Sequence, residues 1–214
     1  MNVFNEAIDY LVSKPELFWE ALKIHLSLSV IALAISIFIS VPLGVYLSKR
    51  NKLSMVVMNV FYLGKIIPSL AVLALTMPYV GVGFTPSLIA LTILAFPTIL
   101  INTVVAFKEV DKNIIEAAQG MGMDKLRIIR KIEFPLALPV VITGIRTASV
   151  EVIAGAALAA FIGGGGLGDF IINGIALAKP SMLLVGAVPI CLLAIAGDSI
   201  FGRIEKLTSP KMGQ

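Results

Sequence analysis

From Ile66 to Phe107 this chain carries no charged side chain, and Leu26–Leu47 forms a second uncharged run. A helical crossing of the bilayer's hydrocarbon core takes about 20 mostly apolar residues. The shorter run therefore supplies one crossing, and the longer supplies two if something divides it. Met77-Pro78 and Gly81-Val82-Gly83-Phe84-Thr85-Pro86 divide it, because clustered Pro and Gly mark turns. Composition agrees. Hydrophobic residues make up 58% and charged residues 14% of 214 residues, more apolar surface than a soluble domain of that size can bury. Soluble, disordered and collagen-like classes are excluded. The single cysteine, Cys191, rules out an internal disulfide and a multi-thiolate metal site. The single histidine, His25, leaves little imidazole chemistry, and no metal-ligand set is expected.

The pattern predicts an all-α integral membrane protein with five crossings, near 26–47, 56–79, 87–107, 136–162 and 181–201. The second encloses Lys65, the fourth encloses Arg146 and Glu151, and Asp198 falls at the end of the fifth. Lys49, Arg50 and Lys52 follow the first crossing. Lys108, Lys112, Lys125, Arg127, Arg130 and Lys131 follow the third, and Arg203, Lys206 and Lys211 follow the fifth. Five crossings put all of these on one side, against Lys14, Lys23 and Lys179 on the other. That asymmetry makes the basic side cytoplasmic, with the N-terminus outside and the C-terminus inside. The net charge of +4 reflects topology rather than nucleic-acid binding. The N-terminal tail, with Glu6, Asp9, Glu16 and Glu20, is acidic and amphipathic, unlike a cleaved signal peptide. Tyr10, Phe18 and Trp19 read as an anchor at the outer interface. His25 reads as an interfacial or loop histidine, and Cys191 as packing.

Residues 108–135, KEVDKNIIEAAQGMGMDKLRIIRKIEFP, form the one long charged connection. Asn113 followed by Glu116 fits a capping box opening a short helix through Ala118. Gly120 and Gly122 would relieve a sharp turn, Asp124 would cap a second helix, and Pro135 would close it before the fourth crossing. Ile114, Ile115, Met121, Met123 and Leu126 leave this elbow an apolar ridge. By periodicity it fits equally a partner's groove or the lipid headgroups.

Ionisable groups inside crossings default to functional hypotheses with a named partner. Lys65 lies about 19 Å in from Lys52, and Glu151 about 22 Å in from Leu136, at 1.5 Å per residue. These matched depths predict a Lys65–Glu151 ion pair, serving as a structural tie or a solute contact. Arg146 is about 140° round the helix from Glu151, so it is expected to snorkel or to approach Asp198. Pro68 must kink or unwind the second crossing, which makes Ile67-Pro68-Ser69 either a gate segment or a packing kink. Gly163-Gly164-Gly165-Gly166-Leu167-Gly168 matches a dinucleotide fingerprint by letters, but no strand precedes it. It reads as an outer linker or as a close helix contact through Gly164 and Gly168. No G-x-x-x-x-G-K-[ST] phosphate cradle occurs in the chain.

The spacing Glu116-Ala117-Ala118, three residues, Gly122, nine residues, Ile132, one residue, Phe134-Pro135 resembles the EAA loop of ABC importer permeases. The family's pattern ends in Leu-Pro where this chain has Phe-Pro, an apolar exchange. The five-crossing count, Ile67-Pro68-Ser69 and Phe161-Ile162-Gly163-Gly164-Gly165-Gly166-Leu167-Gly168-Asp169 look like the glycine betaine, carnitine and choline permease branch. The likeness runs from about residue 20 to 205, between an external tail, 1–19, and a cytoplasmic tail, 206–214. It implies the type I permease fold with a cytoplasmic coupling helix. Glu116, Ala117, Ala118, Gly120, Gly122, Ile132 and Pro135 would then belong to the segment docking a cytoplasmic ATPase dimer. It also implies a second permease subunit, identical or related, and an extracellular solute-binding protein. The chain itself would bind no cofactor, ATP and Mg sitting on the partner, and it would not be an enzyme. A bacterial cytoplasmic membrane and a quaternary-ammonium osmoprotectant are the implied setting and cargo.

Three other readings compete. A permease for another small solute, such as an amino acid, would share the loop. An ion-coupled secondary transporter would show internal repeats, and five crossings do not halve. An intramembrane enzyme would need a catalytic constellation, and the crossings hold no Ser/His pair or metal set.

Overall fold

The computed structural model describes residues 3–209; the expected cytoplasmic Lys211 lies outside them. The described residues form α1 (Val3–Ser13), α2 (Pro15–Ser48), α3 (Asn51–Gly64), α4 (Ser69–Val80) and α5 (Phe84–Lys108). There follow α6 (Lys112–Gly120), α7 (Lys125–Ile128), a π turn (Ile129–Glu133), α8 (Phe134–Leu158), a 3-10 turn (Ala159–Ile162), α9 (Gly168–Ala176) and α10 (Pro180–Thr208). Among them, α2, α5, the Lys125–Ile162 helix and α10 are each long and apolar enough to span a bilayer.

The core is a stack of α2, α5 and α8. Along α2, Ala32, Ser36, Ser40, Gly44 and Ser48 recur every fourth residue and are all buried. Small residues at that spacing let helices approach where lipid gives no hydrophobic drive. Ser36 donates to the Thr92 carbonyl at 3.0 Å and Ser40 to the Phe96 carbonyl at 3.2 Å. At Gly44 an added Cβ would lie 2.7 Å from the Thr103 Cβ. The pairings 36–92, 40–96 and 44–103 rise together, so α2 and α5 run parallel.

Parallel neighbours decide the crossing number. Both helices end on the same face, called here the elbow face, so the chain between them must return through the membrane. That return is α3 and α4, bent by 96° at their junction. The second crossing, expected near 56–79 with a kink or unwound turn at Pro68, is broken there, and Lys65 sits at the break. Gly64 and Pro68 flank the break, and Pro68 has φ −57° and ψ 137°, outside the helical region. Pro has no amide hydrogen for the turn and forces the residue before it out of helix. Contacts of α2 with α8, and of α8 with α10, are antiparallel: His25 meets Ile153, Lys49 meets Glu133, and Arg146 meets Asp198. Five passages through the bilayer result.

Boundaries moved where charge concealed helix. α2 opens at Pro15, well before residue 26, and α10 runs to Thr208, which puts Asp198 in its interior. Of the two readings of residues 163–168, the close helix contact is the one made: α9 opens at Gly168, and a Cβ at Gly164 would collide with the Ser87 hydroxyl. Gly168 could not carry a side chain there, since a Cβ would collide with the Ala157 carbonyl. Of the expected outer aromatic anchor, Trp19 is exposed, whereas Tyr10 packs edge-on against Phe170 at 6.0 Å and Phe18 packs in the small cluster around Leu167 and Phe170. Cys191 is exposed rather than a filler of the core.

Candidate functional site

The break between α3 and α4 opens onto a cavity of about 830 Å³, walled by α3, α4, α5 and α8. Its lining is apolar apart from Lys65, Ser69, Thr92 and Glu151. Irregular backbone is tolerated at membrane depth where it borders such a cavity. Here that backbone is the Lys65–Pro68 turn, where Ile66 and Ile67 donate back to the carbonyls of Leu63 and Gly64 at 3.1 Å each.

Lys65 at the end of α3 and Glu151 in α8 are brought together: Nζ lies 3.2 Å from Oε1. Thr98 of α5 joins them. Its hydroxyl accepts from Lys65 Nζ at 2.8 Å and donates to Glu151 Oε2 at 2.7 Å. The two charged side chains remain 38% and 31% exposed, so they border open space rather than a sealed core. Ile67, Pro68 and Ser69 also line the cavity.

The second charged group lies between α8 and α10. Arg146 grips Asp198 with both edges of its fork, Nε to Oδ1 at 2.6 Å and Nη2 to Oδ2 at 2.7 Å. Its third nitrogen donates to Glu205 at 3.2 Å, and Thr143 donates to the same carboxylate at 3.0 Å. The expected approach of Arg146 to Asp198 is made; Glu205 joins it.

The elbow is built differently from its sequence reading. Asp111, not Asn113, caps α6: its carboxylate accepts the Asn113 amide at 2.8 Å. Both residues can cap, and the helix after Asp111 runs to Gly120 rather than ending at Ala118. Met123 donates to the Ala118 carbonyl and Gly122 to that of Gln119, the two bonds of a Schellman ending. Gly122 occupies its left-handed position with φ +79°. Gly120 has an ordinary helical backbone, so it relieves no strain. Asp124 caps α7 through the Arg127 amide at 2.8 Å, as expected.

Pro135 does not end a helix. Lys125–Ile162 is one continuous helix of 38 residues, and Phe134 donates to Ile129 in a π turn that makes room for the proline ring. Glu116, Ala117, Gly120, Gly122 and Pro135 are exposed, Ile132 is half-buried and Ala118 is buried. Met121 projects at 74% exposure.

A family model described as "Binding-protein-dependent transport system inner membrane component" matches residues 32–212. The chain belongs to that family. It is a multi-pass membrane permease subunit of a binding-protein-dependent transport system. Among curated relatives, the carnitine transport permease protein OpuCB of Listeria monocytogenes is 42% identical over 87% of this chain and 86% of its own. The glycine betaine/carnitine/choline transport system permease protein OpuCB of Bacillus subtilis is also 42% identical over the same shares. The osmoprotectant import permease protein OsmW of Salmonella typhimurium is 38% identical over 87% of this chain and 89% of its own. Among solved structures, the MetNI methionine ABC transporter in an inward facing conformation superposes with a TM-score of 0.81 at 22% identity. It covers 90% of this chain and 96% of that one, a likeness of fold.

Three features of the permease escaped the sequence reading. Thr98 is one hydroxyl among apolar residues, and nothing local marks it as the bridge of an ion pair. Glu133, in the elbow, is buried and accepts from Lys49 through both oxygens, which clamps the elbow end of α8 to α2. His25 is fully buried, not interfacial: its Nε2 donates to the Ile153 carbonyl at 3.1 Å. The early start of α2 turns it inward.

Proposed function

We propose that this permease subunit carries quaternary-ammonium osmoprotectants into a bacterial cell, driven by ATP hydrolysis on a separate ATPase dimer and working by alternating access. The observation that carries this reading is the elbow. It is a capped helix and Schellman turn that leaves Ile114, Met121 and Leu126 exposed, and it continues directly into the helix that bears Glu151. A ridge of that kind suits a groove on a soluble partner, with methionine adapting to the contact. Lys49, Lys108, Lys125, Arg127, Arg130, Lys131 and Arg203 share its face, which favours a cytoplasmic elbow, an outer N-terminus and an inner C-terminus. ATP and Mg would sit on the ATPases. A second permease, identical or related, would complete the pathway, and an external binding protein would deliver the solute. The solute class is supported by the relatives, which are carnitine, glycine betaine/carnitine/choline and osmoprotectant permeases. Glu116, Ala117, Ala118, Gly120, Gly122, Ile132 and Pro135 would form or brace the docking segment, and Ile67-Pro68-Ser69 the gate beside the cavity.

The test is assembly and uptake. The chain expressed with its ATPase should co-purify with it, and Gly122→Val, which forces a β-branched residue into a left-handed backbone, should release the ATPase while the bundle stays folded. Uptake of glycine betaine should cease when the ATPase is inactivated. Retention of the ATPase by an elbow-deleted chain would defeat the proposal.

A further inference from the structure

We propose that Lys65, Thr98 and Glu151 form a solute site selective for small zwitterions, which enter by exchanging the protein's internal ion pair for two pairs with the solute. This rests on the importer reading above and names the solute chemistry at the cavity.

The setting comes first. The pair borders a cavity of about 830 Å³ with few other polar groups in its wall, within the usual volume range of small-molecule sites. Inside a membrane, a solute bearing one charge would neutralise one partner and leave the other exposed to a poorly solvating medium. A solute bearing both charges replaces the one pair it breaks with two: its carboxylate accepts a charge-assisted hydrogen bond from Lys65, and its cationic end sets an opposite charge beside Glu151. Electrostatics therefore favours a net-neutral guest with separated charges over a simple cation or anion.

The construction permits the exchange. Lys65 and Glu151 meet in a single contact of 3.2 Å, not a fork. Thr98 reaches both at 2.8 and 2.7 Å, so each charge keeps a hydrogen-bond partner when the pair parts. Lys65 stands at the broken junction of α3 and α4, whereas Glu151 is fixed within a continuous helix. One partner can move relative to the other. Phe61 and Phe96, with ring centroids 5.2 Å apart, also line the cavity. Such aromatic walls suit N-methyl groups and favour a cation over their faces. Glu151 would take the ammonium end and Lys65 the carboxylate end.

The experiment compares a zwitterion with a cation. The assembled transporter is placed in proteoliposomes with its binding protein unchanged, and uptake of glycine betaine and of choline is measured per assembled complex. In Lys65→Met, glycine betaine loses its carboxylate partner while choline loses nothing and is freed of a repelling charge. The glycine betaine to choline ratio should fall about tenfold, the worth of one charge-assisted contact, and Lys65→Arg should restore most of it. If Lys65→Met does not assemble, Lys65→Gln gives the same readout. A ratio equal to the wild type's, with uptake of both solutes unchanged or lowered together, overturns the proposal and leaves the importer reading intact. Wild-type assemblies that import neither solute would bring down both.

Discussion

Two of the charged groups that cross-link the helices of this permease are made on opposite plans. Arg146, Asp198 and Glu205 join α8 to α10, two uninterrupted helices, through a planar fork with contacts of 2.6 and 2.7 Å. Lys65 and Glu151 join a helix end to α8 through one contact of 3.2 Å with a hydroxyl between them. Exposure does not separate them, since all four principal side chains lie between 31% and 43%. Geometry does. Guanidinium and carboxylate match edge to edge and hold an orientation, whereas an ammonium is a point charge that can swing to another acceptor. The first group behaves as a rivet and the second as a latch.

The largest effect is expected from breaking the rivet. Arg146→Met leaves Asp198 and Glu205 side by side without a cation, and the yield of folded protein in detergent should collapse, with uptake falling in step. Arg146→Lys should rescue that yield only partly, because a lysine cannot reproduce the fork. If Arg146→Met folds and melts like the parent, the rivet description is wrong.

Opening the latch should spare the fold and damage transport. Glu151→Gln keeps the shape and the Thr98 hydrogen bond, so the melting temperature should shift little while glycine betaine uptake drops about tenfold, because its cationic end loses the opposite charge beside it. Equal losses of stability and uptake would erase the distinction. Reversing the pair, Lys65→Glu with Glu151→Lys, sharpens it further. The double variant should transport better than either single variant if the charges pair, and a double no better than its singles would show that they do not. The smallest effect belongs to Thr98→Val, which removes one buried hydroxyl with two partners. A loss of about 1 kcal/mol per hydrogen bond should appear as a modest fall in thermal stability.

Periodicity and charge placed the passages through the bilayer because lipid leaves little freedom: an uncharged run of sufficient length has nowhere else to go. The matched depths of Lys65 and Glu151 followed from rise per residue, and so could be read before any contact was known. The break at Pro68 was legible as a disturbance but not as a bend of 96°, since a proline in a membrane helix can kink or terminate it and the surrounding packing decides. Thr98 and His25 owe their positions to tertiary register, which a one-dimensional pattern does not contain. The elbow was misread at its cap for a different reason: Asp111 and Asn113 are both competent caps two residues apart, and local sequence does not choose between them. The four-residue stripe from Ala32 to Ser48 was in plain view, and reading it would have marked the face on which α2 takes a close neighbour, though not which helix or in which direction.

The 38 residues from Lys125 to Ile162 amount to a lever arm. At 1.5 Å per residue, about 39 Å of stiff rod separates Lys125 from Glu151, and an α-helix conveys torque as well as thrust. The π turn near its base, flanked by the Lys49–Glu133 clamp, lies where a fulcrum would. A small rotation imposed below that fulcrum would reappear as a larger sideways swing of the carboxylate at the far end.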